Sequence, residues 1–429
     1  MRPIQHGLLW KDDRSGELVP TWTASPDIAI IKTLSIQHLP KDFKNAKVKF
    51  FSEGAFNKLY EISSPSKPEK YLMRVSLPVE PFFKTESEAA TLAYIRKHTS
   101  IPVPRVLGYD SSAKNDLGFE WILLEKIEGV CLYDVWEKMS YSSKTALTVH
   151  MAGLLGELYS LQFTQIGSLY FRNAADKVNG TTGTPKTGEI GGKNVNKDIG
   201  DSFVVGRIVS PWFFRDKRVW LPGDRSPFTS THDLMLAETQ IQIERIKNFS
   251  PLPTDEYFSE TDEELAPDQE DILKTCYKLK ELVPVIFPIP SEHCEKAMLQ
   301  HDDLSEANII VNPVTYEIAG IIDWESVAIR PAWEASDFPY FLKGIEVRGP
   351  PPVGTPGINE DSLFWIRKDW ERVLLRRIYE QEMQNPAVKF VSTSEKNVDL
   401  KQGFVERLRE IEMRWRGARN WMEGLCLSE

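Results

Sequence analysis

The chain has 429 residues, of which 41% are hydrophobic and 11% aromatic, so it can bury a large core and be divided into two or three lobes. Its 62 acids against 52 bases give a net charge of −10, which disfavours nucleic acid or an anionic membrane as partner. No apolar run reaches the ~18 residues of a membrane span, and none of signal-peptide length opens the chain. Four cysteines lie far apart, at Cys131, Cys276, Cys294 and Cys426. We therefore expect a reduced, cytoplasmic, globular protein.

The first third of the chain has the pattern of a sheet interrupted by one helix. Residues 1–40 are polar and are expected to form a loosely structured lead-in. Short strand-like runs separated by turns occupy residues 47–76, and a helix pattern follows at 86–98. Two further strand-like runs lie at 104–109 and 119–127. The alternation predicts an antiparallel sheet.

Past residue 129 the pattern becomes helical, beginning with residues 141–162. Residues 173–200 are rich in Gly, Thr, Asn and Lys and are expected to form a mobile insertion. An acidic run at 255–271 suits the N-terminus of the helix predicted next. As an alternative, the run forms a surface that binds a cationic acceptor. Near the C-terminus, one amphipathic stripe is expected to face the core; it is formed by Phe404, Leu408, Ile411, Trp415 and Ala418.

The stretch most informative about chemistry is residues 299–338. A polar loop, HDDLSEAN, leads into the apolar strand IIV, and a turn leads to a second apolar strand that ends at Asp323. Two short strands thus carry Asp303, Asn308 and Asp323 to neighbouring positions. Carboxylate and amide oxygens suit Mg²⁺, and a separate carboxylate can accept the proton of an attacking hydroxyl. The trio predicts phosphoryl transfer, whereas three turn and cap residues of a hairpin would be the purely structural alternative.

The form H-x-D-x-x-x-x-N followed by I-D-W-E resembles the aminoglycoside phosphotransferase and choline kinase-like family, and in particular its uncharacterised fungal members. The resemblance implies an α+β, two-lobed, protein-kinase-like fold. A lead-in at 1–46 would precede a small antiparallel-sheet N-lobe at 47–127 and a larger, mostly helical C-lobe at 128–429. It also implies that Asp303 is the catalytic carboxylate, that Asn308 and Asp323 complete the catalytic set and hold Mg²⁺, and that His301 braces the loop.

The same resemblance suggests where ATP would bind. Residues 50–62 occupy the place of a phosphate-covering loop, in which Ser52, Gly54 and Asn57 could contact phosphates. With a single glycine, the segment is equally well explained as an ordinary hairpin turn. The adenine edge is expected against the backbone from Glu125 to Ile127, at the hinge between the lobes.

Arg74 stands where the family normally has a phosphate-binding lysine. Arginine is permanently charged and can grip phosphate, and its expected partner is Glu88 on the following helix. As an alternative, Thr85-x-x-Glu88 fits a capping box. Asp302, where the family often has glycine, is a second departure.

Two further acids leave alternatives open. Glu325 is either a supporting carboxylate of the site or a surface acid. Asp337 either supports the catalytic loop or caps a helix.

The sequence therefore predicts a small-molecule kinase that transfers the γ-phosphate of ATP, with Mg²⁺, to a hydroxyl of a metabolite. The acceptor has no readable signature, and no nucleic acid or membrane partner is expected. Two alternatives stay open: a nucleotide-binding pseudokinase-like scaffold or sensor, favoured by Arg74 and the glycine-poor loop, and a kinase-fold enzyme with diverted ATP-dependent chemistry.

Overall fold

The computed structural model describes residues 5–12, 18–172, 202–215, 218–248, 269–289, 295–335, 338–347, 349, 359–385, 388 and 397–425. The predicted insertion at 173–200, most of the acidic run at 255–271, and Asp337 lie outside these residues.

The strands of the described residues are β1 (Leu8–Asp12), β2 (Leu18–Trp22), β3 (Lys47–Glu53), β4 (Asn57–Ser64), β5 (Lys67–Ser76), β6 (Val106–Asp110), β7 (Glu120–Glu125), β8 (Val130–Cys131), β9 (Gln162–Phe163), β10 (Ser168–Phe171), β11 (Phe203–Gly206), β12 (Ala297–Gln300), β13 (Ile309–Val311), β14 (Ile318–Ile321) and β15 (Ala328–Pro331). The α-helices are α1 (Ile28–His38), α2 (Phe83–His98), α3 (Leu132–Val135), α4 (Tyr141–Ser160), α5 (Pro211–Phe214), α6 (Thr231–Asn248), α7 (Gln269–Ile286), α8 (Ala332–Ala335), α9 (Glu360–Met383), α10 (Val398–Arg409) and α11 (Ile411–Glu423).

A five-stranded antiparallel sheet in the order β3-β4-β5-β7-β6 forms the N-terminal part of the protein. Side chains alternate between its faces, as the period of two requires. Trp121 and Leu123 of β7 pack on one side, whereas Ile122 and Leu124 join the large core on the other. The sheet and α2 confirm the predicted small α+β lobe.

The prediction of a loosely structured lead-in is wrong for its described residues. Strands β1 and β2 form an antiparallel hairpin, and α1 follows with Asp27 as its N-cap. Ile31 of α1 and Phe43 are buried in the apolar cluster on the outer face of the sheet. These apolar side chains order the segment because they cover sheet surface that would otherwise be exposed.

Helix α2 begins at Phe83, three residues before the predicted start. Thr85 therefore lies inside the first turn and is buried, so it cannot be the N-cap that the capping-box alternative requires. This places Glu88 on a buried face of the helix.

The connection between the sheet and the helical remainder needs glycine for close backbone approach. Gly129 has φ +144°, and a Cβ at this position would lie 2.6 Å from the Val311 carbonyl oxygen. A side chain on Gly320 would meet the Ile127 Cδ1 atom at 2.2 Å. The segment after β7 therefore packs directly on the β13–β14 hairpin.

The remainder is mostly helical, and its described residues form three small antiparallel sheets, β14-β13-β8, β15-β12-β9 and β10-β11. The predicted α+β architecture, with a small antiparallel-sheet part and a larger, mostly helical part, is thus confirmed, while the limits 1–46, 47–127 and 128–429 remain predictions. None of the described helices is long and apolar enough to span a bilayer.

The C-terminal stripe is divided between two helices, since α10 ends at Arg409 and α11 begins at Ile411. Phe404, Leu408, Ile411 and Ala418 are buried as expected, but Trp415 is only partly buried. The stripe thus predicts the buried face but not the break at Glu410.

Candidate active site

The predicted catalytic loop connects β12 to β13. A 3-10 turn at Glu306–Asn308 folds the chain back, so that the Asn308 side chain reaches Asp303. Its Nδ2 group donates to the Asp303 backbone oxygen at 2.8 Å and to Asp303 Oδ2 at 3.0 Å. Asp303 is exposed, whereas Asn308 is buried. The amide of Asn308 therefore orients a carboxylate that remains accessible to a substrate.

His301 braces this loop, as the sequence predicts. The imidazole is buried and its Nε2 atom lies 3.0 Å from the Ile322 carbonyl oxygen, which makes Nε2 the donor. Burial lowers the pKa of His301, so the ring is neutral. Trp324 packs edge-on against the ring at 4.7 Å, which ties the catalytic loop to the end of β14.

Asp323 follows β14 in a left-handed backbone conformation with φ 63°. Its Oδ1 atom lies 3.6 Å from Arg74 Nη1. Desolvation of the carboxylate, together with the negative charge of Glu325, raises the pKa of Asp323 to about 6, although Arg74 opposes the shift. Asp303 is close enough for its charge to raise this pKa too, so the two carboxylates share one site.

Arg74 lies on β5, the middle strand of the sheet, between β4 and β7. Its Nη2 atom contacts the carboxylate of Glu88, and both side chains are almost fully buried. The structure thus forms the pair that the sequence favours over the capping box. Because Arg74 also faces Asp323, it joins the small sheet to the end of β14.

Lys84, in the first turn of α2, belongs to no motif of the sequence but lies in the site. Its side chain is 2% exposed, and its ammonium lies 2.6 Å from Glu325 Oε2 and 3.2 Å from Asn57 Oδ1. Asn57 Nδ2 also donates to Glu325 Oε2, at 2.7 Å. Glu325 is therefore a supporting carboxylate of the site and not a surface acid. The only local signal for Lys84 is its place one helical turn before Glu88.

The charges around Glu325 decide its ionisation. Burial favours its neutral form, but Lys84 and Arg74 overcome that effect and lower its pKa to about 2. Glu325 is thus an anion throughout the physiological range, and its negative charge contributes to the raised pKa of the neighbouring Asp323.

The expected phosphate-covering segment is the tight turn of the β3–β4 hairpin. Ser52 and Gly54 are exposed there, and the Gly54 N–H group donates to the Asn57 carbonyl oxygen at 2.9 Å. The Asn57 side chain points instead into the cluster with Lys84 and Glu325, where its Oδ1 atom also accepts from Ser76 Oγ at 2.7 Å. The structure therefore separates Asn57 from the exposed turn with which the sequence groups it.

At the expected hinge, Glu125 ends β7 and has a partly exposed side chain. Lys126 follows, and its N–H group donates to the Lys70 carbonyl oxygen at 3.0 Å. Ile127 packs on Gly320 of β14. This backbone lies between the sheet and the β13–β14 hairpin, and its contact with an adenine edge stays a prediction.

The residues around Asp323 could hold Mg²⁺ only together with the phosphates of a bound nucleotide. Among the described residues, no group of three or more His, Cys, Asp and Glu side chains could hold a metal ion. Mg²⁺ commonly uses one or two carboxylates, several waters and substrate phosphates. Asp323, which is partly exposed beside the catalytic loop, suits that mode, with Asn308 as the neutral oxygen donor.

Glu120, near the start of α2, has a pH-dependent effect on stability. Burial raises its pKa to about 7, although it accepts from the Phe82 N–H group at 2.8 Å and faces Lys84. Because the folded state binds this proton more tightly than the unfolded state, the contribution to stability is present below about pH 4.5 and is lost as the pH rises to about 7.

Glu120→Gln is therefore expected to raise the free energy of unfolding relative to the wild type by up to about 3 kcal/mol at pH 8, and by little at pH 4. Urea unfolding of both proteins across this range measures the difference. A difference that does not change with pH would contradict the assignment.

Part of this site lies in a range of the chain that matches a known protein family. The model of the phosphotransferase enzyme family matches residues 47–185. The predicted resemblance to this family is confirmed over the matched residues. The matched range contains the sheet, Arg74, Lys84 and Glu88, while the catalytic loop and Asp323 lie beyond it.

Curated relatives include fungal proteins that are 23–29% identical to this chain over the aligned residues. A subtelomeric hrmA-associated cluster protein of Aspergillus fumigatus is 26% identical over 68% of this chain and 59% of its own length. Altered inheritance of mitochondria protein 9, mitochondrial, of Candida tropicalis is 29% identical over 58% of this chain and 41% of its own. The chain thus spans less than two thirds of the length of these relatives.

Among solved structures, a putative aminoglycoside phosphotransferase from Ralstonia eutropha is 15% identical, with 92% of this chain and 99% of the other covered and a TM-score of 0.43.

The expectation of a cytoplasmic location is wrong. Several relatives, from Candida tropicalis, Meyerozyma guilliermondii, Lachancea thermotolerans and Candida albicans, have the word mitochondrial in their names. Composition and charge decide between aqueous and membrane environments, but they hold no information on the compartment.

Proposed function

We propose that the protein is an ATP-dependent phosphotransferase that acts on a hydroxyl group of a small-molecule metabolite. The observation that carries the proposal is the position of Arg74, which contacts Glu88 of α2 and faces Asp323 at 3.6 Å. A buried cation between a helix carboxylate and a strand-end carboxylate is the arrangement that kinase-like proteins use to position nucleotide phosphates. The match to the phosphotransferase enzyme family supports this assignment.

In this proposal each residue has a defined task. The Asp303 carboxylate, oriented by Asn308, accepts the proton of the acceptor hydroxyl as that oxygen bonds to the γ-phosphorus and the bond to ADP breaks. Arg74 orients the phosphates, and Asn308 and Asp323 hold Mg²⁺. When bound, the ion neutralises the charge that develops on the phosphate oxygens.

The nucleotide would lie under the β3–β4 turn, with Ser52 and Gly54 near the phosphates and the adenine edge against Glu125 to Ile127. Asn57 would act indirectly, since its amide is bonded to Glu325, Lys84 and Ser76. Positioning and charge neutralisation would supply most of the rate enhancement.

ATP is expected to stabilise the wild-type protein only when Mg²⁺ is present, by about 2.7 kcal/mol at ~100 times the dissociation constant. Thermal unfolding with ATP alone, Mg²⁺ alone and both together measures the effect. Asp323→Asn, which keeps the shape of the side chain and removes its charge, should lose the dependence on Mg²⁺.

If neither ATP nor GTP changes the unfolding temperature of the wild type, the proposal is contradicted. If Mg²⁺-dependent binding is found but no phosphorylated product forms with a panel of hydroxylated metabolites, the protein is a nucleotide-binding scaffold or sensor instead.

A further inference from the structure

The segment that follows β14, Asp323 to Ser326, has an unfavourable backbone. Both Asp323 and Ser326 have left-handed φ angles, 63° and 61°, which residues with side chains rarely adopt. Such conformations persist when the surrounding contacts fix them, and they are frequent at functional sites. The contacts of Trp324 and Glu325, which lie between these two residues, therefore decide where the Asp323 carboxylate is held.

Trp324 fixes the segment to its own part of the fold. Its indole N–H group donates to the Ile321 carbonyl oxygen at 2.9 Å, and its ring is 2% exposed. It packs on His301, whose Nε2 atom is bonded to Ile322. These contacts anchor the segment to β14 and to the catalytic loop, but they do not reach the sheet.

Glu325 fixes the segment to the small sheet and α2. Its Oε2 atom accepts from Lys84 Nζ at 2.6 Å and from Asn57 Nδ2 at 2.7 Å. Lys84 and Asn57 are in turn bonded to each other through Asn57 Oδ1, which Ser76 also contacts. We call these three residues, Lys84, Asn57 and Glu325, the clamp.

The clamp also sets the charges that surround Asp323. Arg74 Nη1 lies 3.6 Å from Asp323 and 3.9 Å from Glu325, so the two carboxylates share one guanidinium. Lys84 supplies the second cation that lets Glu325 stay charged while buried. Without Lys84, Glu325 would depend on Arg74 alone and would draw it away from Asp323 and the phosphates.

We propose that Lys84 is a positioning residue, which binds Glu325 together with Asn57 and thereby fixes the Asp323 carboxylate at the cleft. The role in metal-dependent nucleotide binding rests on the proposed function, whereas the effect on the backbone does not. The clamp joins residues that are 241 and 268 positions apart in the chain, so it connects the small sheet and α2 to the Asp323 loop.

The first test is hydrogen exchange on ligand-free protein. Lys84→Met keeps the length of the side chain and removes its charge, and it is expected to speed exchange of the amides of residues 322–327 by about tenfold. Lys144→Met is the matched control, because Lys144 is also a buried lysine, paired with Glu371 at 2.5 Å on the face of α4. This control should leave exchange at 322–327 unchanged.

The second test measures ATP affinity by calorimetry at a series of Mg²⁺ concentrations. Lys84→Met should reduce the gain in affinity that Mg²⁺ provides by about tenfold, while affinity for ATP without Mg²⁺ stays within about threefold. Lys84→Arg, which keeps the charge, should restore most of the gain, a rescue that a role in packing alone would not give.

Glu325→Gln is a second way to break the clamp, so the proposal can still be tested if Lys84→Met does not fold. It should reproduce both effects. The double variant Lys84→Met/Glu325→Gln should change the amide exchange and the gain in ATP affinity from Mg²⁺ no more than either single change does.

Unchanged exchange at 322–327 in both single variants would overturn the proposal. If the wild type fails to bind ATP, the proposed function fails, and the exchange experiment still decides whether the clamp exists. If the wild type binds MgATP and Lys84→Met behaves as Lys144→Met does in both tests, the clamp is refuted while the proposed function stands.

Discussion

Replacing Asp303 by asparagine is expected to lower phosphoryl transfer by about 10²–10⁴-fold, which is the usual contribution of a general base. Asparagine keeps the size of the side chain and can still be oriented by Asn308, but it cannot accept the proton of the acceptor hydroxyl. Affinity for MgATP should stay nearly unchanged, because Arg74 and Asp323 carry the contacts to the nucleotide in the proposed site. The measurement is product formation with an acceptor found by screening, beside calorimetry of MgATP binding.

Asp302→Asn is the matched control for this change. Asp302 is the neighbouring carboxylate in the same loop, and it lies within electrostatic reach of Arg330, on β15, and not in the contact with Asn308. Its replacement should leave the rate within several-fold of the wild type. Equal losses in the two variants would show that general charge in the loop, and not a base at Asp303, supports the reaction.

Replacing Arg74 by methionine is expected to destabilise the fold by about 3–5 kcal/mol, since removing one partner of a buried ion pair leaves the other charge uncompensated. Glu88, which Arg74 contacts, is only 2% exposed on its side chain. The same change should weaken ATP binding. Urea unfolding gives the stability, and calorimetry gives the affinity where the variant remains folded.

Two control variants test this interpretation of Arg74→Met. Arg74→Lys keeps the charge and restores the lysine usual in the family, so it should remain folded and bind MgATP. Arg105→Met removes the arginine of an exposed pair, Arg105 and Glu125 at 4.0 Å, and should cost little, because pairs in water contribute about 0–1 kcal/mol. Comparable losses for Arg74→Met and Arg105→Met would refute the role of the buried pair.

Arg74 and Lys84 together change the interpretation of the departures from the family pattern. Taken alone, an arginine in place of lysine and a loop with one glycine favour a scaffold without activity. In the structure the arginine retains its helix partner, and a second buried cation, Lys84 of α2, contacts Glu325 beside Asp323. The arginine is thus part of a site in which two N-terminal cations face three carboxylates, Glu88, Asp323 and Glu325.

Local patterns in the sequence determined much of the fold. Alternation along residues 71–75 puts Arg74 on the opposite face of the strand from Tyr71, Met73 and Val75, and the structure buries those three in the apolar cluster on the outer face of the sheet. The spacing of Asp303 and Asn308 predicted neighbouring side chains, because a short loop that returns to a strand brings its two ends together. Such features involve residues close in the chain, and the periodicity of strands and helices encodes them directly.

Other features were decided only by the tertiary structure. The lead-in is ordered because Ile31 and Phe43 find an apolar sheet face to cover, which a polar composition does not reveal. The start of α2 moved to Phe83, and this brought Lys84 into the site and removed Thr85 as a cap.

The contacts of the clamp cannot be predicted from local patterns in the sequence. A lysine in a helix turn and a glutamate after a strand are ordinary surface residues until the chain brings them within 2.6 Å and excludes water from both. The sequence by itself predicted which residues would perform the chemistry, because the residue types and their spacing are local. Which charges support them depends on contacts between distant segments, and only burial in the folded protein makes those contacts strong.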